Sequence, residues 1–493
     1  MRKIIVGQRV CQIEEHDHDI IKKLDRELSF FIQGAEHSKA YVGYIDPNGK
    51  TVTWDGRKHL LSNSLKFSPG LLSRVKNFYD KKNIPYELVN HLPQQSPTNK
   101  IDIQNRLVEL GKIPYPYQLE AVEAVKNNHL GIIKIATGGG KSLVAAMITA
   151  EFGKRTIIFV IGKDLLYQMH ELFEAVFQQK IGIIGDGKCE IADINIATIW
   201  TVNQALGLKK IKKAEDESEE RDISTDKYDE IKEAVINSKL AIIDECHLAA
   251  SDTIQSICGC LNVEKIYGMS ASPIRDDGAD LLIENVLGNK IIDISAKQLI
   301  ESGHLVNPVI RFLPVPPYTG KKAPYKTIYQ DYIVNNVERN NMVCLAAQKL
   351  VEQGFQTLVL FHSIKHGKLL YDQIKKKIPC ELLSGEDDIE VRNKVKKKLE
   401  KGKINCIVAS KIFDIGVDLP SLSSLICAGG GKSSVRALQR IGRVIRLHES
   451  KTMAAIIDFS DQAPYLSDHS EIRRKIYEEE FKDVQWPKEQ TKK

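Results

Sequence analysis

Hydrophobic residues in the first hundred positions recur at helical spacing on both sides of a strand-like segment. The apolar positions within 20–28 and within 71–79 each fall on one face of a helix. Between them, Tyr41–Ile45 and Thr51–Trp54 flank a turn of Asp, Pro, Asn and Gly, which predicts a β-hairpin. The pattern therefore predicts a small α/β accessory domain over residues 1–100.

From about residue 101 onward, short β-rich runs alternate with helical patterns, and a stretch with five prolines between residues 308 and 324 divides them into two series. Such alternation is typical of parallel sheets built from βαβ units. We predict two parallel-sheet domains in tandem, over residues 101–303 and 304–465, and a charged C-terminal tail over 466–493. The predicted strands are Gly131–Ala136, Thr156–Ile161, Ile191–Thr198, Leu240–Asp244 and Lys265–Ser270 in the first domain, and Thr357–His362, Cys380–Leu383, Ile404–Ala409, Leu422–Ala428 and Met453–Phe459 in the second.

One segment interrupts the first series of strands and helices. Residues 209–233 contain 17 charged residues out of 25. This charge density is typical of a solvated segment, so we expect a loop or an exposed helix between two strands.

The composition is that of a folded protein with several domains. The chain has 493 residues, of which 42% are hydrophobic and 27% charged. No apolar run approaches the ~18 residues of a membrane span, and the N-terminus does not resemble a signal peptide. Its nine cysteines include no CxxC pair. We therefore expect reduced thiols and a soluble, cytoplasmic protein with no membrane partner.

Most of the net positive charge lies in the predicted accessory domain. The whole chain has 70 Lys and Arg against 64 Asp and Glu, a net charge of +6. Residues 1–100 alone hold 16 basic and 11 acidic residues, which accounts for +5 of that total. A positive surface there could contact nucleic-acid phosphates. A solvated face without any ligand explains the same charge equally well.

A glycine-rich loop follows the strand Gly131–Ile135 and precedes a helical pattern. In this arrangement backbone N–H groups face an anion, a lysine reaches the β- and γ-phosphates, and a hydroxyl ligates Mg²⁺. Ile135 occupies the first glycine position of the strict motif, but the remaining residues are in place. The predicted nucleotide-binding residues of this loop are Thr137, Gly138, Gly139, Gly140, Lys141 and Ser142.

A second glycine-rich loop, 428–433, has a similar composition and also lies between a strand and a helix. It is one residue shorter before its lysine, and the later strand that ends at Asp458 and Phe459 lacks a second acid. We therefore expect a non-catalytic loop.

An acidic pair, Asp244 and Glu245, ends the apolar strand 240–243, about 100 residues after the first loop. A carboxylate at the end of a strand that faces a phosphate loop can hold Mg²⁺, partly through water, and a neighbouring Glu can orient or deprotonate the attacking water. We predict that Ser142 and Asp244 ligate Mg²⁺ and that Glu245 activates water.

With these two motifs, further segments resemble the ordered motifs of superfamily 2 helicases over about residues 114–446. They are Pro116-Tyr117-Gln118 with Tyr115 in place of the usual arginine, Leu165–Gln168, Thr198, Met269–Pro273, Leu360–Ser363, Asp414–Pro420 and Gln439–Arg446. Within the superfamily the chain resembles the recombination-repair helicases of T-even phages and the xeroderma pigmentosum B group. The residues that carry this closer resemblance are Thr53–Arg57, Pro69–Leu72 and Ser272–Asp277.

The resemblance implies two RecA-like domains, ATP and Mg²⁺ as cofactors, and a site divided between the domains. Arg443 and Arg446 would act as arginine fingers, and Gln439 would contact the γ-phosphate or its water. The residues implied in catalysis are thus Lys141, Glu245, Gln439, Arg443 and Arg446. Further nucleotide contacts are implied for Gln118, Gly416 and Asp418.

The resemblance further implies an ATP-dependent DNA helicase or translocase that acts on forks, junctions and R-loops in recombination, repair or replication restart. Single-stranded and branched duplex DNA would be held mainly through phosphates. An RNA–DNA hybrid and a single-strand-binding or recombination protein are further candidate partners, and a phage-like origin would place the protein in the host cytoplasm. The alternatives are the motor subunit of a restriction or nuclease system, an RNA helicase, and a DNA-annealing or scaffolding protein that uses ATP as a switch.

Overall fold

The structure is a computed structural model of the chain. It describes residues 2–15, 17–45, 51–92, 96–208, 221–272, 280–384, 387, 389–410, 419, 421–431, 434–449 and 451–487. The chain divides into two compact units, the first built mainly from residues up to Asp293 and the second from Ile294 onward. Among the described residues, no helix has both the length and the apolar composition needed to cross a membrane.

Helices and strands are numbered in chain order. The α-helices are α1 His18–Glu27, α2 Lys39–Val42, α3 Leu72–Lys81, α4 Gln104–Glu109, α5 Pro116–Lys126, α6 Lys141–Phe152, α7 Lys163–Phe177, α8 Ile199–Ala205, α9 Tyr228–Asn237, α10 Asp252–Cys260, α11 Asp280–Leu287, α12 Ala296–Glu301, α13 Tyr325–Tyr329, α14 Val337–Glu352, α15 Ile364–Ile374, α16 Ile389–Glu400, α17 Ser434–Val444 and α18 Leu466–Glu480. The strands are β1 Arg2–Val6, β2 Cys11–Glu14, β3 Ser29–Phe31, β4 Tyr44–Ile45, β5 Thr51–Val52, β6 Arg57–His59, β7 Lys66–Phe67, β8 Tyr86–Asn90, β9 Leu130–Ile135, β10 Thr156–Val160, β11 Gly182–Gly185, β12 Lys188–Glu190, β13 Ile194–Thr198, β14 Leu240–Asp244, β15 Lys265–Ser270, β16 Lys290–Ile294, β17 Pro308–Pro314, β18 Thr357–Leu360, β19 Cys380–Leu383, β20 Cys406–Ala409, β21 Ser424–Ile426, β22 Ala454–Ser460 and β23 Asp483–Gln485.

The N-terminal residues of the first unit form a four-stranded sheet in the order β7-β2-β1-β8, with α1 and α3 packed on one face. Strand β1 pairs antiparallel with β2 and parallel with β8. Helix α1 begins after Asp17, whose carboxylate accepts hydrogen bonds from the amides of Asp19 and Ile20 at 3.0 and 3.3 Å. The two predicted helices are confirmed, whereas β1, β2 and β8 were not anticipated.

The predicted hairpin is confirmed only at its base. Strands β4 and β5 pair antiparallel, with Tyr44 opposite Val52 and Ile45 opposite Thr51, and the turn lies outside the described residues. The prediction of a strand at residues 41–42 is wrong, since these residues belong to α2. The hydroxyl of Ser38 starts this helical turn by accepting a hydrogen bond from the amide of residue 40 at 3.3 Å.

An eight-stranded sheet forms the rest of the first unit in the order β12-β11-β13-β10-β14-β15-β9-β16. The strands β13, β10, β14, β15 and β9 pair in parallel, which confirms the predicted parallel sheet. At one edge of it, Ser270 of β15 lies opposite Lys134 of β9, and Asp244 of β14 lies opposite Met269 of β15. The glycine-rich loop after β9 and the acidic pair at the end of β14 therefore leave the sheet at the same edge.

The prediction that residues 209–233 form a solvated insertion is wrong for the last part of this segment. Residues 209–220 lie outside the described residues. Helix α9, which begins at Tyr228, buries Ile231 and Val235 completely. Because these two residues are four positions apart, they share one face of the helix, and a charged helix can dock in the core through that face alone.

The second unit contains a seven-stranded sheet in the order β19-β20-β18-β21-β22-β17-β23, and the strand pairs within it are parallel. The second predicted parallel sheet is therefore confirmed. The segment that we expected to be a charged tail begins with α18, in which Arg473 and Tyr477 are buried. It continues into β23, which pairs with β17 at the edge of the sheet.

Candidate functional site

The first glycine-rich loop joins β9 to the N-terminus of α6. Gly138 and Gly140 have φ values of +90° and +76°, in the left-handed region that favours glycine. The amide of Gly139 donates a 3.0 Å hydrogen bond to the carbonyl of Ala136, which closes the turn. The hydroxyl oxygen of Thr137 is buried and has no hydrogen-bond partner among the described residues. A turn of this kind before a helix N-terminus presents backbone N–H groups to an anion.

Asp244 is the last residue of β14, a strand whose five residues are all buried. Its oxygen Oδ1 is buried and accepts no hydrogen bond from any described residue. Burial and the charge of Glu245 raise the pKa of Asp244 to about 6, although the positive charge of Lys141 acts in the opposite direction. A cation would satisfy this unpaired carboxylate oxygen and favour the charged form of the group.

Glu245 has a left-handed backbone conformation with φ = +50°, which is uncommon for a residue other than glycine. Its carboxylate accepts a 3.5 Å hydrogen bond from the hydroxyl of Ser270 and lies 3.3 Å from Nδ1 of His247. The hydroxyl of Ser270 also accepts a hydrogen bond from the amide of Ser272 at 3.1 Å. Glu245 thus connects His247 with the end of β15.

The donor set beside the loop fits Mg²⁺. Ser142 is the second residue of α6 and half-buried, and Asp244 supplies a carboxylate oxygen without a partner. Mg²⁺ prefers such oxygen ligands and usually takes its remaining ligands from water and substrate phosphates. In the described part of the chain, no group of three or more His, Cys, Asp or Glu side chains could hold a metal by itself. Two protein ligands are sufficient for an ion that shares its coordination with phosphates.

Gln118, the predicted adenine-side residue, is buried near the start of α5. Its Oε1 accepts a hydrogen bond from the amide of Tyr115 at 3.0 Å, which caps the start of the helix. The rings of Tyr115 and Tyr117 stack with their centroids 5.7 Å apart. Tyr115 is 40% exposed, so an aromatic face stands where the family usually has an arginine.

Helix α17 and the residues just after it carry the other predicted catalytic residues. Gln439 and Arg443 are four positions apart in α17 and share one side of the helix, whereas Arg446 follows the end of the helix and pairs with Leu305 in an isolated β-bridge. Ile441 and Val444 are completely buried and hold the opposite side in the core. These three predicted residues belong to the second unit, whereas the acidic pair belongs to the first.

Two residues that position α17 were not anticipated from the sequence. Arg440 is only 7% exposed, and its Nη2 lies 3.1 Å from Nε2 of His362. The buried ammonium group of Lys451 donates hydrogen bonds to the carbonyls of Val444 and Arg446, both at 2.9 Å, and so caps the end of the helix. The motif pattern contains Arg440 but does not distinguish its role from those of its neighbours, and Lys451 lies beyond the motif.

The second glycine-rich loop is held through its backbone carbonyls. Donor side chains from α13, α14 and α18 each bind one of them. The pairs are Tyr329 Oη to Gly429 at 2.9 Å, Arg339 Nη1 to Ala428 at 2.6 Å and Arg473 Nη1 to Gly431 at 2.6 Å. Lys432 and Ser433 of this loop, and the predicted contact residues Gly416 and Asp418, lie outside the described residues.

The chain matches two family models. Residues 112–275 match the model described as type III restriction enzyme, res subunit, and residues 340–448 match the helicase conserved C-terminal domain. In sequence the chain is 28% identical over 479 residues to the ATP-dependent DNA helicase uvsW of Enterobacteria phage T4. This alignment covers 92% of this chain and 91% of the relative. It is 23% identical over 435 residues to the DNA 3'-5' translocase XPB2 of Sulfurisphaera tokodaii, covering 79% of this chain and 90% of the relative.

Solved structures extend the comparison to the fold. The crystal structure of T4 UvsW covers 98% of both chains at 24% identity, with a TM-score of 0.44. Helicase MrfA bound to DNA gives a TM-score of 0.55 at 15% identity, covering 80% of this chain and 53% of that chain. A variant of S. cerevisiae Dbp5 bound to RNA and ADP BeF3 gives 0.51 at 13% identity, covering 77% of this chain and 91% of that chain. The predicted fold of tandem RecA-like domains is confirmed, and the sequence matches identify the chain as a superfamily 2 helicase, an ATP-hydrolysing enzyme that resembles UvsW and the XPB helicases.

Proposed function

We propose that the chain is an ATP-driven motor that moves on DNA and acts on branched structures such as forks, junctions and R-loops. The observation that carries the ATP site is the grouping of Lys141, Asp244 and Glu245 at one edge of the first sheet, where a buried carboxylate oxygen has no partner. The chain matches T4 uvsW over more than nine-tenths of its length, and that relative is described as a DNA helicase. This similarity supports DNA as the substrate.

In this proposal the first glycine-rich loop holds the phosphates of ATP. The backbone N–H groups of the loop bind phosphate oxygens, and Lys141 reaches the β- and γ-phosphates. Ser142 and Asp244 would hold Mg²⁺, which neutralises developing phosphate charge when it is bound. Glu245 orients the attacking water and accepts its proton. The contacts of Glu245 with His247 and Ser270 fix the carboxylate for that task.

The second unit supplies the charge that stabilises the transition state. Arg443 and Arg446 would act as arginine fingers, with Gln439 beside the γ-phosphate or its water. The proposal therefore requires the two units to approach each other around ATP and to separate after hydrolysis. Contacts from both units to one DNA strand would convert this cycle into steps along the strand. Gly416, Asp418 and Gln118 are proposed as further nucleotide contacts, and the exposed ring of Tyr115 as a stacking face for the base.

ATP turnover measured in parallel with different nucleic acids tests this function. We expect turnover to be low without nucleic acid, to rise with single-stranded DNA, and to be highest with forked DNA or an R-loop. Strand separation on the same fork, followed with ATP and with a non-hydrolysable analogue, tests motor activity. Stimulation by RNA alone, or equal turnover with and without DNA, would contradict the proposal. Equal turnover would instead favour an annealing or scaffolding protein with an ATP switch.

A second candidate is the motor portion of a restriction or nuclease system, which the match of residues 112–275 to a type III restriction model favours. Such a motor would also hydrolyse ATP on DNA, so the presence of turnover alone does not separate the two. A preference of turnover for forked over linear duplex DNA separates them, and incubation of circular duplex DNA with the protein, ATP and Mg²⁺ adds a test for cleavage, for which a motor portion would need a nuclease partner. We expect no cleavage products, and accumulation of linear or nicked DNA would favour the restriction system.

A further inference from the structure

A positively charged cleft of about 610 Å³ lies between α1, α3 and the end of α11 in the first unit. Lys23 and Arg26 line it from α1, where they are three positions apart and share one face. Arg74, Lys81 and Lys82 line it from α3 and the residue that ends this helix. Two rows of cations therefore face one cavity.

Most of this charge is not neutralised within the protein. Arg74 forms a two-point ion pair with Glu284, with Nη2 2.9 and 2.8 Å from the two carboxylate oxygens, and lies 3.6 Å from Glu27. The other four cations are exposed and have no acidic partner in the described part of the chain. The cleft thus holds five cations against two carboxylates, and the two carboxylates both bind the same arginine.

The chemistry of the cleft fits a phosphate backbone and does not fit unpaired bases. Exposed lysine and arginine side chains bind phosphates without regard to sequence. Proteins that hold single strands add exposed aromatic faces on which bases stack. The aromatic side chain in this cleft is Phe78, which is 7% exposed and has the ammonium group of Lys82 5.4 Å from its ring centroid. A duplex, whose bases are already stacked, needs no such face.

We propose that this cleft binds one phosphate strand of a duplex DNA arm. The inference rests on the proposed function, because DNA is taken as the substrate. The cleft gives that function a specific duplex-binding surface in the N-terminal residues.

The segment that lines the cleft contacts α11, which belongs to the same unit as the acidic pair. Ser68 donates a 2.5 Å hydrogen bond to the carbonyl of Asn285 in α11, and Arg74 binds Glu284 in the same helix. A Cβ atom on Gly70 would lie 2.0 Å from the carbonyl oxygen of Glu284, so the two segments are in close backbone contact. A duplex bound in the cleft would therefore be held by the first unit. The DNA contacts proposed for the second unit would then move relative to this duplex during the ATP cycle.

Paired substitutions of the cleft cations test the proposal in the full chain. We would compare Lys23→Gln/Arg26→Gln and Lys81→Gln/Lys82→Gln with the control Lys3→Gln/Lys66→Gln. Lys3 and Lys66 are exposed residues of the same small sheet, and their neighbours Ile4 and Phe67 point to the helices, so the control cations lie on the opposite face. The probes are a blunt duplex and an oligothymidylate of the same length, each titrated over a range of salt concentrations.

Each cleft pair should weaken duplex binding by on the order of 10- to 100-fold near 0.1 M salt and make the plot of log affinity against log salt shallower by about 2. The control pair should change neither quantity, and ATP turnover without DNA should stay normal in all three variants. Oligothymidylate binding should be less affected than duplex binding. Removal of a carboxylate from the cleft by Glu27→Gln should have the opposite sign and tighten duplex binding.

Equal losses in the cleft and control variants would overturn the proposal, since the charge would then act only as a diffuse surface. Equal losses for oligothymidylate and duplex would overturn the assignment to a duplex. Normal duplex binding by the cleft variants would overturn the cleft alone and leave the proposed DNA motor in place. Failure of the unsubstituted chain to bind any DNA would overturn the cleft and the DNA motor together.

Discussion

The two glycine-rich loops have similar sequences, yet their polar surroundings differ. At the first loop, Thr137 and Asp244 each retain a buried oxygen without a hydrogen-bond partner among the described residues. At the second loop, three backbone carbonyls accept hydrogen bonds from Tyr329, Arg339 and Arg473. Two buried oxygens at the first loop thus lack partners, whereas three carbonyls in the described part of the second loop, residues 428–431, are bound by side chains of the protein.

The acids near each loop show the same contrast. Asp244 follows β14 with one oxygen unpaired and a raised pKa. Asp458 of β22 is completely buried, but its carboxylate binds the guanidinium of Arg473 at 2.9 Å and the hydroxyl of Tyr477 at 3.0 Å. An unsatisfied buried polar group destabilises a fold, so its presence at a sheet edge indicates a ligand site. Loop composition alone does not distinguish the two cases.

The largest expected effect comes from the arginines proposed to complete the first site. Arg443→Ala and Arg446→Ala should each lower ATP turnover by roughly 10³–10⁵-fold, because each removes charge stabilisation of the transition state. Nucleotide affinity should change much less, since the loop remains intact. Steady-state turnover and binding of a fluorescent ATP analogue measure both quantities.

Arg311→Ala is a suitable control for these variants. Arg311 is an exposed arginine of the same unit, hydrogen-bonded to Gln485 at 3.1 Å, and it should be dispensable for turnover. If Arg443→Ala and Arg446→Ala hydrolysed ATP as fast as Arg311→Ala, the second unit would not contribute to the ATP site.

A smaller loss of turnover is expected when the water-activating group is removed. Glu245→Gln should lower turnover by roughly 10²–10⁴-fold, the range typical of general acid–base catalysis, and should keep nucleotide affinity. Lys141→Ala should lose both, because it removes a phosphate contact. The exposed Glu233→Gln in α9 serves as the matched control. Near-normal hydrolysis by a folded Glu245→Gln protein would contradict the role of this residue.

The elements around the first loop could be predicted because their signals are local. An apolar strand, a glycine-rich turn and a helix are consecutive in the sequence, and a carboxylate directly after a buried strand needs no distant residue to be noticed. The parallel sheets followed from the same repeated pattern. Strands β1 and β8 could not be found in this way, because residues 2–6 pair with residues 86–90. Neither segment is recognisable as a strand from its local sequence without its distant partner.

Charged segments were the main source of wrong predictions, since a charged residue considered alone is expected to be exposed to solvent. Arg339 is buried because Asp461, 122 positions away, provides its countercharge, and Arg473 is buried because Asp458, 15 positions away, does the same. Helix α9 is buried through Ile231 and Val235 although its other positions are mostly polar. The hydrogen bonds to the second loop depend on these buried arginines, so the sequence could indicate a non-catalytic loop only from its length and missing acid.

Loss of one of these pairs should destabilise the second unit. Arg339→Met leaves the buried carboxylate of Asp461 without its partner at 2.8 Å, and should lower the free energy of unfolding by about 3–5 kcal/mol. The double variant Arg339→Met/Asp461→Leu should recover part of that loss, because no buried charge remains. Urea denaturation measures the effect.

The exposed pair of Arg155 with Asp193, at 3.2 Å, provides the control for this measurement. Arg155→Met should change the free energy of unfolding by only about 0–1 kcal/mol, as is usual for surface ion pairs. Equal effects of Arg339→Met and Arg155→Met would mean that the second loop does not depend on its buried arginines.

The smallest effect is expected at Lys432, which has the same place after its glycines as Lys141 has in the first loop. Lys432→Ala should leave ATP turnover and nucleotide affinity unchanged within experimental error, whereas Lys141→Ala in the same assays should lose both. The reason lies in the neighbouring groups, because three carbonyls of the second loop and the carboxylates of Asp458 and Asp461 already have partners within the protein. These two carboxylates are therefore occupied by arginines and are not available as Mg²⁺ ligands, so we expect no metal–phosphate site beside that lysine. If Lys432→Ala were as inactive as Lys141→Ala, the second loop would bind nucleotide despite its completed hydrogen bonds, and unpaired buried oxygens could no longer be used to distinguish the two loops.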